Sequence, residues 1–208
     1  RYRSSAASDV YKRQPLIRNQ ASIGGNLCTS SPIGDLAPIF LVLDSELTIN
    51  NGKEINKINL EKFFKGYRKN VLNKKSFLQS ISFLLPKKDY QFYSWKFSKR
   101  YDQDISTVSI AILIKVKNSL ISDIKIAAGG VFEKPILLKN LSNFLINKNV
   151  NTLLSNLENK LQKDISPISD FRGTSEYRNQ VMNNSFTKLY RLLSNNSEIN
   201  NIMEVGHG

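Results

Sequence analysis

Residues 21–35 read Ala-Ser-Ile-Gly-Gly-Asn-Leu-Cys-Thr-Ser-Ser-Pro-Ile-Gly-Asp. Gly24 and Gly25 lack a Cβ, so their backbone can approach a ligand closely and turn its amides on an anion. Ser22, Ile23 and Asn26 complete a short cradle, with Ser22 and Asn26 adding side-chain hydrogen bonds; a pyrophosphate is the ligand such a cradle suits. A tight turn, in which glycine only supplies a positive φ, explains the same letters equally well. The dinucleotide fingerprint G-x-G-x-x-G and its preceding strand are absent. Asp35 has two readings as well. Its carboxylate can accept hydrogen bonds from ribose or ribityl hydroxyls, or it can cap the apolar segment that starts at Leu36.

The elements that must position these groups fall into two units. In the first, Leu36–Ile49 is densely apolar, Leu47 and Ile49 alternate with polar neighbours, and Asn50-Asn51-Gly52 signals a hairpin turn. Ile55, Ile58 and Leu60 lead into a short helical or turn segment over residues 61–67. Phe77–Leu85 is a further strand candidate closed by Pro86. The second unit starts near Tyr90. Tyr93, Trp95 and Phe97 alternate with Ser94, Lys96 and Ser98, which predicts aromatic rings toward a core and Lys96 on the opposite face. Val108, Ile110, Ile112, Ile114 and Val116 share one parity, Asn118-Ser119 make a turn, and Ile124, Ile126 and Ala128 return. Three antiparallel strands are the economical reading.

After Gly129-Gly130 the apolar period changes from two to about 3.6, the helical repeat. Leu138, Leu141 and Leu145 predict one helix. Leu153, Leu154, Leu157 and Leu161 predict a second with Asn151 at its start. Tyr177, Val181, Leu189 and Leu193 predict a third beginning near Thr174-Ser175. The fold class is therefore α+β, a small antiparallel sheet packed by three helices behind a strand-rich first part. Residues 1–13 show neither period and read as a leader foreign to the fold.

The chain has 208 residues, enough for one large domain or two small ones with real cores. Its 30 Lys and Arg against 17 Asp and Glu give a net charge of +13, which raises nucleic-acid binding. The lysines are scattered through an Asn-, Lys- and Ile-rich sequence, though, rather than gathered in a stripe with interleaved aromatics. A single cysteine, Cys28, and a single histidine, His207, exclude a zinc site or iron–sulfur cluster made by this chain alone. One cysteine makes no internal disulfide, so a reducing, cytoplasmic setting is expected. No apolar run approaches the roughly 20 residues a membrane span needs.

Ordered motifs then add a resemblance. Ile17-Arg18-Asn19-Gln20-Ala21-Ser22-Ile23-Gly24-Gly25-Asn26, Ser31-Pro32-Ile33-Gly34-Asp35, Phe63-Phe64-Lys65-Gly66-Tyr67-Arg68-Lys69 and Lys99-Arg100-Tyr101-Asp102-Gln103-Asp104-Ile105-Ser106 follow one another as in the flavin subunit of xanthine dehydrogenase. About residues 14–195 resemble the C-terminal part of that FAD-binding module, from the molybdenum hydroxylase family. The resemblance implies the remainder of a FAD-binding subdomain over 14–88, a carbon monoxide dehydrogenase flavoprotein-like C-terminal domain over 89–196, and a tail over 197–208.

The same resemblance implies roles for particular residues. Ser22, Ile23, Gly24, Gly25 and Asn26 match the family's second flavin loop, whose amides contact the FAD diphosphate, and Asp35 matches its hydroxyl-binding aspartate. Leu78 falls at an apolar FAD contact, where plain core packing is the other reading. Lys96 falls near the polar edge of the isoalloxazine, where a cation favours the reduced flavin; otherwise it is a solvated strand lysine. Tyr67 is placed near the flavin and nicotinamide, or in the core. Arg100, Gln103 and Asp104 lie on a loop bordering the flavin, or form a solvated turn.

In the family, electrons leave a substrate at a molybdopterin centre, cross two [2Fe–2S] clusters and pass through FAD to NAD. The implied partners are therefore an iron–sulfur domain and a molybdopterin-binding large subunit. A first glycine loop precedes the matched region in the family, so the resemblance is to a fragment expected to be inactive alone and to contain no acid–base catalyst. A carbon monoxide-, aldehyde- or nicotinate-type flavoprotein shares the fold. In a different class, a non-enzymatic basic binding module would use the glycines only to turn the chain.

Overall fold

Asn118 and Ser119 both adopt left-handed backbone, φ 50° and 61°, the geometry that lets a two-residue loop reverse a twisted strand pair. They join β7 (Val108–Lys117) to β8 (Leu120–Gly129). β6 (Gln91–Phe97) pairs with the other edge of β7, Trp95 opposite Ile110 and Lys96 opposite Ser109. This computed structural model describes residues 20–100 and 105–194. The leader over 1–13, the tail over 197–208 and the candidates Gln103 and Asp104 lie outside the described residues.

One face of the sheet carries Val108, Ile110, Ile112, Ile114, Ile124 and Ile126, with Tyr93, Trp95 and Phe97 half-buried against them. That is the parity expected from the sequence. The sheet has a fourth strand as well, β9 (Ile136–Leu137), paired to Ala127 and Ala128 at the edge of β8. Three strands is thus corrected to four; two residues are too few to show an alternating pattern.

The opposite face is also buried, which period-two reading leaves to solvent. Ala111, Leu113 and Ala127 belong to a second core with Leu27, Phe40, Leu41, Leu47, Phe63 and Phe64. The short side chains at 111 and 127 let a helix of the first unit approach closely. Leu36–Val42 is that helix, with Pro38 in its first turn, where the missing N–H costs no intrahelical bond. We label the helices in chain order: α1 is Ile23–Cys28, α2 is Leu36–Val42 and α3 is Leu60–Phe63. The strands of this unit are β1 (Glu46–Asn50), β2 (Ile55–Asn59), β3 (Phe64–Gly66), β4 (Lys69–Asn70) and β5 (Phe77–Ser82).

β1 is the centre of an antiparallel sheet of order β2-β1-β5. The β1–β2 turn is held by the Asn51 side chain, whose Oδ1 accepts from the amides of Lys53 and Glu54 at 2.9 and 2.8 Å. β5 ends at Ser82 rather than Leu85, because Glu46, its partner there, is the first residue of β1. Leu84 and Leu85 beyond it are exposed.

α4 (Lys139–Leu145) buries Leu141 and Leu145 as expected, and its N-terminal amides at Asn140 and Leu141 are capped by Asp164 from a distant turn, at 3.2 and 2.8 Å. The expected second helix is broken. A 3₁₀ turn at Val150–Thr152, capped by Asn149 rather than Asn151, precedes α5 (Leu157–Leu161), with left-handed Asn156 between them. α6 (Ser175–Leu193) is capped by Thr174, whose Oγ1 accepts from the Tyr177 amide at 3.2 Å. Its inward stripe is Arg178, Val181, Met182, Ser185, Phe186 and Leu189. Tyr177 is 41% exposed and is displaced from the expected stripe by Arg178.

Candidate functional site at the junction of the two units

Ser22 is extended, and its Oγ accepts from the Gly25 amide at 3.0 Å, so residues 23–28 wind into α1 instead of turning tightly. Gly24 and Gly25 sit in the first helical turn with ordinary negative φ, unlike Gly52 and Gly130. The amides of Ile23 and Gly24, at the first positions of the helix, have no acceptor one turn back. A Cβ at Gly24 would stand 3.7 Å from Leu78 Cδ2, so α1 lies against β5 and brings these two candidates together. Leu78 pairs with Ile49 beside a register shift and is half-buried against the second core.

Asp35 stands at the entrance to α2 in helical backbone geometry and makes no side-chain cap. Its carboxylate points across to the second unit. Oδ2 accepts from Lys96 Nζ at 2.9 Å, and Oδ1 accepts from Ser106 Oγ in a short hydrogen bond. The side chains of Lys96 and Asp35 are 37% and 40% exposed. The three groups converge from α2, β6 and the segment entering β7.

A cavity of about 240 Å³ opens beside this cluster, lined by Asn26, Ser31, Asp35, Arg68, Ser106 and Arg172 among others. A neighbouring cavity of about 180 Å³ shares Ser31, Ile33, Arg68 and Arg172 with it and adds Tyr67, Asp170, Phe171 and Arg178. Tyr67 is 53% exposed there and is not a core tyrosine. Arg68, which lines both cavities, and Ser30, next to the lining residue Ser31, hold left-handed backbone with φ 51° and 49°. Asn70 ties these turns together, its Nδ2 donating to Cys28 O at 2.8 Å and to Ser30 Oγ at 2.9 Å. Arg100 is exposed on the loop after β6, where Ser98 Oγ donates to its carbonyl at 2.8 Å.

Arg68 and Ser106 stand within the motifs of the resemblance without a role assigned to them, and Arg172 and Arg178 likewise have none. Arg172 and Arg178 flank a Gly-Thr-Ser helix start, and Ser106 follows the loop that contains Arg100, but adjacency to Asp35 is invisible along the chain. Electrostatics favour a charged site. Burial works to raise the Asp170 carboxyl, yet the Arg172 amide and the Arg178 guanidinium outweigh it and hold Asp170 below the usual carboxylate range. Burial pushes the Cys28 thiol up, so it stays protonated. Among the described residues there is no cluster of three or more metal-ligating side chains, and no helix long and apolar enough to cross a membrane.

Residues 11–87 match the family described as FAD binding domain in molybdopterin dehydrogenase, and residues 93–193 match CO dehydrogenase flavoprotein C-terminal domain. The chain belongs to the FAD-binding flavoproteins of the molybdenum hydroxylase family. This flavoprotein is 30% identical over 167 residues to the glyceraldehyde dehydrogenase medium chain of Sulfolobus acidocaldarius, covering 80% of the present chain and 59% of that one. It is 32% identical over 187 residues to xanthine dehydrogenase 1 of Arabidopsis thaliana, covering 86% of the present chain and 14% of that protein. The flavoprotein therefore spans little more than half of the shorter relative and a small part of the longer one.

The solved Cu,Mo-CO dehydrogenase in its cyanide-inactivated form has the same fold, with a TM-score of 0.79 at 18% identity over 87% of this chain and 64% of that one. Quinoline 2-oxidoreductase from Pseudomonas putida 86 aligns with a TM-score of 0.75 at 17% identity, over 88% and 64%. The α+β class, with a FAD-binding domain followed by a flavoprotein C-terminal domain, is as expected from the sequence.

Proposed function

We propose that this chain is the C-terminal part of the flavin module of a xanthine dehydrogenase-like oxidoreductase, in which electrons arriving from iron–sulfur clusters reach NAD by way of FAD. The observation that carries the reading is the convergence of Asp35 with Lys96 and Ser106 beside a cavity that Asn26 and Asp35 both line. FAD, when bound, supplies the exchange between one-electron clusters and a two-electron acceptor.

The residues present fit that group. A carboxylate offers about four acceptor positions, and among the described residues Lys96 and Ser106 engage one on each oxygen of Asp35, leaving acceptors for sugar-chain hydroxyls. The first amides of α1 and the side chain of Asn26 are suited to a diphosphate. Lys96 supplies positive charge that stabilises an anion nearby, and Leu78 supplies an apolar wall next to Gly24. Tyr67, exposed on the adjoining cavity with Arg68 and Arg172, is suited to shield the acceptor side and to meet a nucleotide there. The family resemblance assigns Arg100, Gln103 and Asp104 to a segment that borders the flavin.

An iron–sulfur domain and a molybdopterin-binding large subunit are the partners this reading requires, in a cytoplasmic setting that suits the single cysteine. A second reading is an aldehyde- or carbon monoxide-type hydroxylase with another acceptor, favoured by the likeness to a glyceraldehyde dehydrogenase medium chain. Purification of the full-length flavoprotein decides between these and a basic binding module. An absorbance band at about 450 nm is expected of oxidised flavin, with rapid reoxidation by NAD of the reduced protein. Flavin that NAD leaves reduced supports the second reading. Salt-sensitive nucleic-acid binding without flavin removes both.

A further inference from the structure

The guanidinium of Arg178 is 2% exposed, on the inward face of α6, and lies outside every motif role assigned above. Its Nη1 donates to two backbone carbonyls, Thr107 O at 2.8 Å and Gly130 O at 2.6 Å, while Nη2 donates to Asp170 Oδ1 at 2.7 Å. Each carbonyl belongs to a residue whose own amide makes a further backbone hydrogen bond. The Gly130 amide donates to Pro32 O at 2.7 Å, and the Thr107 amide donates to Phe97 O at 2.7 Å, next to Lys96. Ser106, one residue before Thr107, donates to Asp35. A single nitrogen therefore binds both Gly130, whose amide holds Pro32, and Thr107, whose neighbour Ser106 holds Asp35.

At the two glycines the backbone packs closely. Gly130 has φ +84°, and a Cβ there would collide with Thr107 O and stand 3.0 Å from Arg178 Nη1; a Cβ at Gly129 would stand 2.8 Å from Pro32 O. Asp170 is itself held by the amides of Arg172 and Gly173, at 2.8 and 3.2 Å, so the guanidinium docks on a preset carboxylate. A planar fork can serve these three acceptors at once, whereas an ammonium cannot match the geometry.

We propose that Arg178 is a positioning residue for the flavin site, acting through the Thr107 and Gly130 carbonyls to hold Asp35, Ser106 and Lys96 in register across the two units. The proposal rests on the flavin reading of that site.

The test uses the full-length flavoprotein and the variants Arg178→Lys and Leu189→Ala, the latter removing a fully buried side chain of the same helix. Flavin affinity, flavin midpoint potential and Tm are measured on each. Arg178→Lys is expected to weaken FAD binding about ten- to a hundredfold, the loss of charged hydrogen bonds, to shift the potential, and to make a further Ser106→Ala change silent. Leu189→Ala is expected to lower Tm with FAD affinity within about twofold of the parent.

FAD affinity and potential unchanged in Arg178→Lys overturn the proposal, as does an equal loss of FAD in Leu189→Ala. If Arg178→Lys does not fold, Asp170→Asn and Ser106→Ala replace it: non-additive losses of affinity support the proposal and additive ones overturn it. A parent protein that retains no FAD removes the flavin reading and this role together, while a flavin-bound parent with unchanged variants removes only the role.

Discussion

Lys96 Nζ lies 2.9 Å from Asp35 Oδ2, across 61 residues of sequence and between the two units of the fold. Both side chains are more than one-third exposed, so solvent screens the pair and it contributes at most about 1 kcal/mol to stability. Its importance is geometric: the lysine that β6 turns away from the aromatic core reaches the carboxylate that α2 presents.

Replacing Lys96 with Met removes a cation while leaving the strand and its apolar face in place. The flavin potential should fall, because reduced flavin loses a favourable charge, and Tm should change little. A redox titration showing no shift takes Lys96 out of the site.

Gly24 distinguishes a size effect from a propensity effect. An alanine Cβ there meets Leu78 at an ordinary 3.7 Å, and alanine favours a helix over glycine by about 1 kcal/mol. Gly24→Ala should therefore fold at least as well as the parent. Gly24→Val carries further methyl groups toward Leu78 and should abolish FAD retention. Equal flavin stoichiometry in the parent and the valine variant would falsify the diphosphate assignment of α1.

Tyr67 is exposed and outside both cores, so Tyr67→Ala should cost less than about 1 kcal/mol of stability. Flavin content should be unchanged, and reoxidation by NAD, followed by stopped-flow absorbance, should slow. If the rate with NAD is that of the parent, Tyr67 has no part in acceptor binding.

Asp170 gives a pH dependence with a definite sign. Its folded pKa is below the unfolded value, so its contribution is fully present above about pH 4, the ordinary aspartate value, and disappears as pH falls through the lower folded value. Thermal unfolding of the parent and of Asp170→Asn should converge as the pH drops below that point. A stability gap that persists at strong acidity contradicts the assignment. Tyr90 acts at the other extreme. Its hydroxyl donates to Asp123 at 2.5 Å, and this bond, with burial adding to it, pushes its pKa up to about 12. The contribution of this bond is present below the ordinary tyrosine value of about 10 and is lost as pH rises through the folded one.

Much of this was legible along the chain. The β7–β8 hairpin, the aromatic face of β6, the outward Lys96 and the start of α6 follow from periods of two and 3.6 and from turn and cap residues within a few positions of one another. Local sterics and burial of one face set them. β9 and the break at Asn156 were not legible, because two residues make no period and the left-handed kink rests on packing around it.

The identity of the candidate residues in α1, at Asp35 and at Lys96 was likewise a matter of sequence, since residue type and order carry the chemistry. Their arrangement was decided only in three dimensions. Gly24 and Gly25 wind into a helix because Ser22 caps it. Asp35 faces Lys96 and Ser106 because α2 packs on the alanine side of β7 and β8. Arg178, to which the sequence reading gave no role, turns inward because Thr107 and Gly130, 71 and 48 residues away, present carbonyls to its Nη1. A buried charge is tolerable only where such partners converge, and convergence over such separations is a property of the folded chain.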